Sequence, residues 1–301
     1  MQFLAYLDFN QRSSYEDLEF AAKLGLDSVI LTKYDNELLS NLGDSSIKII
    51  NKDLKKTKMT VYATEFSEFH INLHDEDKYN DLVESFENHL KITTKLKVKN
   101  MIFTLPLLDD ILLKVDIIVT HLKGLYLLAK KYKINLMFKQ GENRNSNLVY
   151  LLKKMPKEFN LVFEPANIYA NGESSIVAYR HFKKKVTNVL VSDLDSLGNS
   201  ELVGYGKVGI IDLFKRFKRD KFNGNLILDP NFIIYDQNAG LVLEKEKKTS
   251  FFKRLFKKKT KVSSYLEGFG ERIFPGEGKT PTLFEIYDSQ IKALKVIFNL
   301  D

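Results

Sequence analysis

The 301-residue chain contains no cysteine. Disulfides, thiolate metal sites and a cysteine nucleophile are therefore excluded, and the chain suits a reducing compartment. Its start, MQFLAYLDFNQ, lacks the basic residues and long apolar core of a signal peptide. No apolar run approaches the roughly 20 residues that a membrane span needs. The expectation is a soluble, cytoplasmic protein. A net charge of +7 suggests nucleic acid until the charge is located. Residues 245–261, KEKKTSFFKRLFKKKTK, hold nine basic residues and one acid, leaving about one negative charge over the rest of the chain. The body offers no basic field to DNA, and no specific nucleic-acid partner is expected.

What the chain does have is alternation. Short apolar runs occur at 2–8, 27–32, 59–64, 100–105, 134–139, 160–164, 188–193 and 225–229, most without polar alternation, as strands buried on both faces should be. Helical patterns lie between them. Ser14-Tyr-Glu-Asp17 resembles a capping box and Gly25 a helix end. Further helices are predicted over 76–97, 110–132, 174–185, 210–219 and 282–298. Eight strand-plus-crossover units predict a (β/α)₈ TIM barrel, an α/β fold of one domain over 1–301. About 50 residues, 231–281, separate the eighth strand from the last helix where a few would suffice. They read as a long insertion in the last βα loop, on the face where barrels carry their sites.

Three stretches carry a resemblance. LVFEPANIYANGES (161–174), VLVSDLD with the following GYGKVG and LILDP, and LEFAAKLGLDSVIL (18–31) together resemble the sugar phosphate isomerase/epimerase family, the xylose-isomerase-like barrels. The resemblance covers 1–230 and the last helix. It implies a divalent metal held by a Glu, an Asp, a His and a second Glu from strand ends, next to which a proton is moved beside a carbonyl. Position by position, the fifth-strand Glu is Lys139 here and the Asp is Glu164. The His falls on Leu190 or Ser192, and the last Glu is Asp229. An ammonium cannot ligate while protonated, so Lys139 reads as a built-in cation among Glu164, Asp229 and Asp193. The usual metal site is then lost. No cofactor is expected unless Glu164, Asp229 and Asp193 converge on a Mn, Mg or Zn ion.

The candidate catalytic residues are accordingly Glu164, Asp229 and Lys139. Lys139 has a second reading as a Schiff-base lysine. Asn167, Asp193, Ser192, Asp8 and Asn10 stand at or near strand ends as substrate contacts, and Lys207 is a further contact from the turn before a helix. Gly204-Tyr-Gly206-Lys207 precedes a helix whose backbone N–H groups could hold a phosphate, although paired glycines in a turn are common. His70 and His74 have i, i+4 spacing but sit in a loop-like run, and they are read as solvated.

The basic segment places Phe251, Phe252, Leu255 and Phe256 on one stripe, the composition of an interfacial helix on anionic lipid; a lysine-rich loop is the plainer alternative. Two functions follow. One is an isomerase/epimerase-like protein acting on a small carbohydrate or sugar phosphate at the C-terminal face. The other is a non-catalytic barrel that serves as a ligand-binding or scaffold module, its basic insertion reaching an anionic membrane or a protein partner.

Overall fold

The structure is a computed structural model that describes residues 1–9, 11–66, 73, 75–108, 111–232 and 263–300. The 245–261 segment, Asn10, His70 and His74 lie outside the described residues. The chain forms two compact units, Met1–Leu228 and Asp229–Asp301.

In the first unit eight parallel strands close a barrel. They are β1 (Phe3–Tyr6), β2 (Ser28–Leu31), β3 (Thr60–Phe66), β4 (Asn100–Thr104), β5 (Asn135–Lys139), β6 (Asn160–Phe163), β7 (Val186–Val191) and β8 (Asn225–Leu228). Neighbours around the ring are consecutive in sequence, and β8 returns to β1. The crossovers are α1 (Ser14–Lys23), α2 (Asp44–Thr57), α3 (Glu76–Lys95), α4 (Ile111–Lys131), α5 (Asn145–Lys154), the pair α6 (Pro165–Ala170) and α7 (Ser175–Phe182), and α8 (Ile210–Arg219). The cap of α1 is Ser13, one residue earlier than the motif suggests; its hydroxyl accepts from the Glu16 N–H at 3.3 Å. Pro165, expected to break the chain, opens α6 instead, where a proline's missing N–H costs nothing. Among the described residues no helix is long and apolar enough to cross a membrane.

The barrel interior begins as an apolar layer to which each strand gives one residue: Leu4, Ile30, Ala63, Ile102, Met137, Val162, Leu190 and Ile227. Side chains on a strand alternate, so the next inward residue lies two positions further on. That step reaches Tyr6, Glu65, Thr104, Lys139, Glu164 and Ser192, a polar layer above the apolar one. Two bulges set this phase. β3 pairs Val29 with Val61 and then Ile30 with Ala63, so one extra residue turns Glu65 inward and Phe66 outward. β7 skips Thr187 in the same way. Outside the barrel, Phe66, Phe86, Phe103, Phe138 and Phe159 run as one aromatic chain, with ring centroids 3.7 to 5.9 Å apart between neighbours. These rings cement strands to helices.

In the second unit, α9 (Ser263–Ile273) precedes α10 (Leu283–Phe298). Thr282 and Glu285 form a complete capping box at the start of α10. Phe232 packs edge-on against Phe269 and Tyr287.

Candidate active site

Lys139 is the centre of the polar layer. It leaves β5, yet its Nζ lies 3.4 Å from the hydroxyl of Tyr6 on β1, the strand on the opposite side of the eight-membered ring. The ammonium therefore sits close to the barrel axis, directly above the apolar layer. Its ion-pair partner is Glu65, at 2.7 Å. Glu65 Oε1 also accepts from the Thr104 hydroxyl at 2.8 Å, so three strands converge on one carboxylate oxygen. The pair is well shielded, with 17% of the Lys139 side chain and 4% of the Glu65 side chain exposed. Burial pulls the Lys139 pKa down, but Tyr6, Glu65 and Glu164 outweigh it and hold the pKa above the ordinary lysine value. The amine is thus kept charged, which disfavours the Schiff-base reading, since that chemistry needs a neutral nitrogen.

Glu164 ends β6 at the N-cap of α6 and is fully buried. Its Oε2 accepts the Gly141 N–H at 2.8 Å and its Oε1 the Asn167 amide at 3.1 Å. Burial pushes its pKa up to about 7, against the opposing pull of Lys139 and the backbone donors and with help from the charge of Glu65. Burial likewise raises Tyr6 well above the ordinary tyrosine value, with Glu65 adding to it, so the phenol stays neutral.

Gly141 is required where it stands. Its φ is +61°, and a Cβ would lie 2.8 Å from the Leu105 carbonyl oxygen. Gly141→Ala should cost at least about 2 kcal/mol through left-handed strain and that backbone contact. It should also displace the N–H that steadies Glu164. Urea unfolding reads the first effect, and a loss below 0.5 kcal/mol would show that the loop relaxes freely.

Asp193, expected beside Lys139, faces elsewhere. Its carboxylate accepts four backbone N–H groups: Leu194 at 3.1, Gly204 at 3.0, Gly206 at 3.1 and Val208 at 3.2 Å. Three of these belong to the 204–208 loop that was read as a phosphate cradle, so the chain's own anion occupies those donors. Lys207 is exposed on that loop. Asp8 pairs with Lys33 at 3.1 Å on the rim. Ser192 is buried in the polar layer, whereas Leu190, the other histidine-equivalent position, lies in the apolar one. Asp229 belongs to the second unit, where its Oδ1 accepts the Asn231 N–H at 2.9 Å and its carbonyl accepts the Tyr287 hydroxyl at 2.9 Å. Sequence reasoning missed Glu65, the actual partner of Lys139.

No family model and no curated protein sequence matches the chain. Solved structures do. The xylose isomerase domain protein from Planctomyces limnophilus superposes with a TM-score of 0.64 at 12% identity, over 81% of this chain and 95% of that one. D-psicose 3-epimerase with D-tagatose from Clostridium cellulolyticum H10 gives 0.62 at 14% identity, over 76% and 85%. A xylose isomerase-like TIM barrel protein from Mycobacterium smegmatis in complex with magnesium gives 0.60 at 11%, over 75% and 89%. The fold is that of the xylose-isomerase-like TIM barrels.

A xylose-isomerase-like barrel raises the question of a divalent ion, and these residues do not fit one. Among the described residues no group of three or more His, Asp or Glu side chains is placed to hold a metal. An ammonium stands at the fifth-strand position. Both oxygens of Glu164 and both of Asp193 already face N–H donors, which would oppose a cation.

Proposed function

We propose that the mouth of this barrel binds a small carbohydrate and moves a proton at the carbon beside its carbonyl, as an isomerase or epimerase does, with the Lys139 ammonium in place of a metal. The observation that carries this reading is a buried carboxyl poised near neutrality, Glu164, electrostatically coupled to a fixed cation on the barrel axis. A general base works best with a pKa near the operating pH. In the proposed step the Glu164 carboxylate takes the proton from the C–H next to the carbonyl. The C–H electron pair becomes the new C=C bond, and the carbonyl electrons move onto oxygen, where the Lys139 ammonium stabilises the enolate. Protonation of the other face by solvent water, while Glu164 gives its own proton up to solvent, gives the epimer. Asn167 and Ser192 line the same mouth. Asp8, Asn10 and Lys207 remain proposals as substrate contacts.

The test is hydrogen exchange. Incubated in D₂O with free ketoses such as D-tagatose, the protein should place deuterium on the carbon beside the carbonyl. Glu164→Gln should slow this by 10²–10⁴-fold, about the worth of a general base. The wild-type rate should climb as pH rises through about 7, because the base is the ionised form. A folded wild type that exchanges no ketose and no ketose phosphate would sink the proposal. The binding-only barrel would then be favoured, the reading that the replaced metal donors already support. Its basic segment 245–261 would be tested on anionic vesicles.

A further inference from the structure

The bonding of Glu65 is one-sided. Its Oε1 takes both Lys139 and Thr104, at 2.7 and 2.8 Å. Its Oε2 is buried and has no hydrogen-bond partner. Glu65 raises Tyr6 both by its charge and by a side-chain hydrogen bond, and Oε2 is still left without a partner. The hydroxyl of Ser192 is also buried and without a partner. Buried polar atoms are nearly always satisfied, and two orphans in one layer call for an explanation.

Their placement supplies one. Glu65 lies two residues beyond Ala63 on β3, and Ser192 two beyond Leu190 on β7. Four steps of the eight-strand ring separate β3 from β7, so the orphans face each other across the mouth. Between them stands the Lys139 ammonium, which has three protons. Glu65 takes one at 2.7 Å, and the longer Tyr6 contact at 3.4 Å takes a second weakly.

We infer that Glu65 Oε2 and Ser192 Oγ are ligand-binding atoms, and that the site takes an uncharged hydroxy-carbonyl compound or polyol. Glu65 accepts a ligand hydroxyl, Lys139 donates to the neighbouring ligand oxygen, and Ser192 bonds a hydroxyl on the far side. A phosphate or carboxylate is selected against, for two reasons. The charge of Lys139 is already matched by Glu65, and a second anion would meet Glu65 and Glu164 in a shielded site. The loop N–H groups that would have received a phosphate are held by Asp193. This inference names the ligand class for the proton-transfer reading and rests on it for the site, but it concerns binding and not chemistry.

The experiment is calorimetric titration of the full chain with D-tagatose, myo-inositol and xylitol, beside fructose 6-phosphate and inorganic phosphate, with D₂O exchange run in parallel. The neutral compounds should bind and the phosphates bind at least tenfold more weakly. Ser192→Ala, which removes a hydroxyl without a protein partner, should keep the wild-type melting temperature and weaken binding about fivefold. Glu65→Gln puts an N–H donor where an acceptor is needed and should weaken binding at least tenfold. The inference falls if the phosphates bind as well as the neutral compounds, if none of the neutral compounds binds, or if Ser192→Ala binds them as wild type does. Binding without deuterium exchange supports the inference and removes the proton-transfer proposal. Exchange that is indifferent to both substitutions does the reverse.

Discussion

Lys139→Met should destabilise the barrel by about 3–5 kcal/mol, the cost of leaving one member of a buried ion pair behind. Glu65 is 3% exposed, and in this variant its carboxylate would lose its cation and keep only neutral hydroxyl partners, Thr104 and Tyr6. The methionine has nearly the length of the lost side chain, so little of the effect is a cavity. Glu65→Leu alone strands the ammonium beside Glu164 and should also be costly. The double variant, Glu65→Leu with Lys139→Met, should return to within about 2 kcal/mol of wild type, because a hydrophobic replacement of a buried pair is often near neutral. Urea unfolding of the four proteins forms a double-mutant cycle. If the two single losses simply add in the double variant, Lys139 and Glu65 do not act as a pair.

The barrel was legible because its strands are apolar throughout and regularly spaced, and β4, β5 and β6 begin within a residue of the expected positions. Four helices were overlooked: α2, α5, the short α6 and α9. The first has a readable stripe of Ile47, Ile50 and Leu54, all buried. Inside-versus-outside phase was not legible, since a continuous apolar run carries no alternation to read. That is why Glu65 was missed. The third strand was ended at Thr64, two residues short, and only the bulge near Tyr62 decides that Glu65 and not Thr64 faces inward. Thr64 faces outward and bonds Thr93 on α3 at 2.8 Å. A signal existed nonetheless. A lysine at an inward strand end demands an acid within reach, and Glu65 directly follows the third apolar run, two strands away from β5. Asp193 escaped for a different reason. Its carboxylate serves N–H groups 11 to 15 residues away, and no local pattern records a side chain bonded across a loop.

Removing that carboxylate should turn the 204–208 loop into the anion cradle that its glycines suggested. Asp193→Ala should cost about 4 kcal/mol. Two of the four N–H bonds, to Leu194 and Val208, are buried, and each donor left unsatisfied costs about 1–3 kcal/mol; the Gly204 and Gly206 donors are part-buried and rehydrate more cheaply. The loop is built tightly around this side chain. A Cβ on Gly206 would collide with the Asp193 carboxylate and lie 2.6 Å from the Leu194 carbonyl oxygen. Asp193→Asn should be milder, because its remaining oxygen can still serve Leu194 and Val208 while its amide opposes the two glycine donors. Inorganic phosphate should raise the melting temperature of Asp193→Ala and leave wild type unmoved, since an anion that binds only the folded variant stabilises it by mass action. Thermal unfolding in phosphate against chloride at matched ionic strength reads this directly. A variant that unfolds at the wild-type temperature, with no response to phosphate, would mean that the loop is held by its own backbone, beginning with the 2.6 Å bond from the Lys207 N–H to the Leu194 carbonyl. A wild type that phosphate stabilises as strongly as the variant would mean that the anion is received outside the donors Asp193 occupies, and sugar phosphates would return as ligands of this barrel.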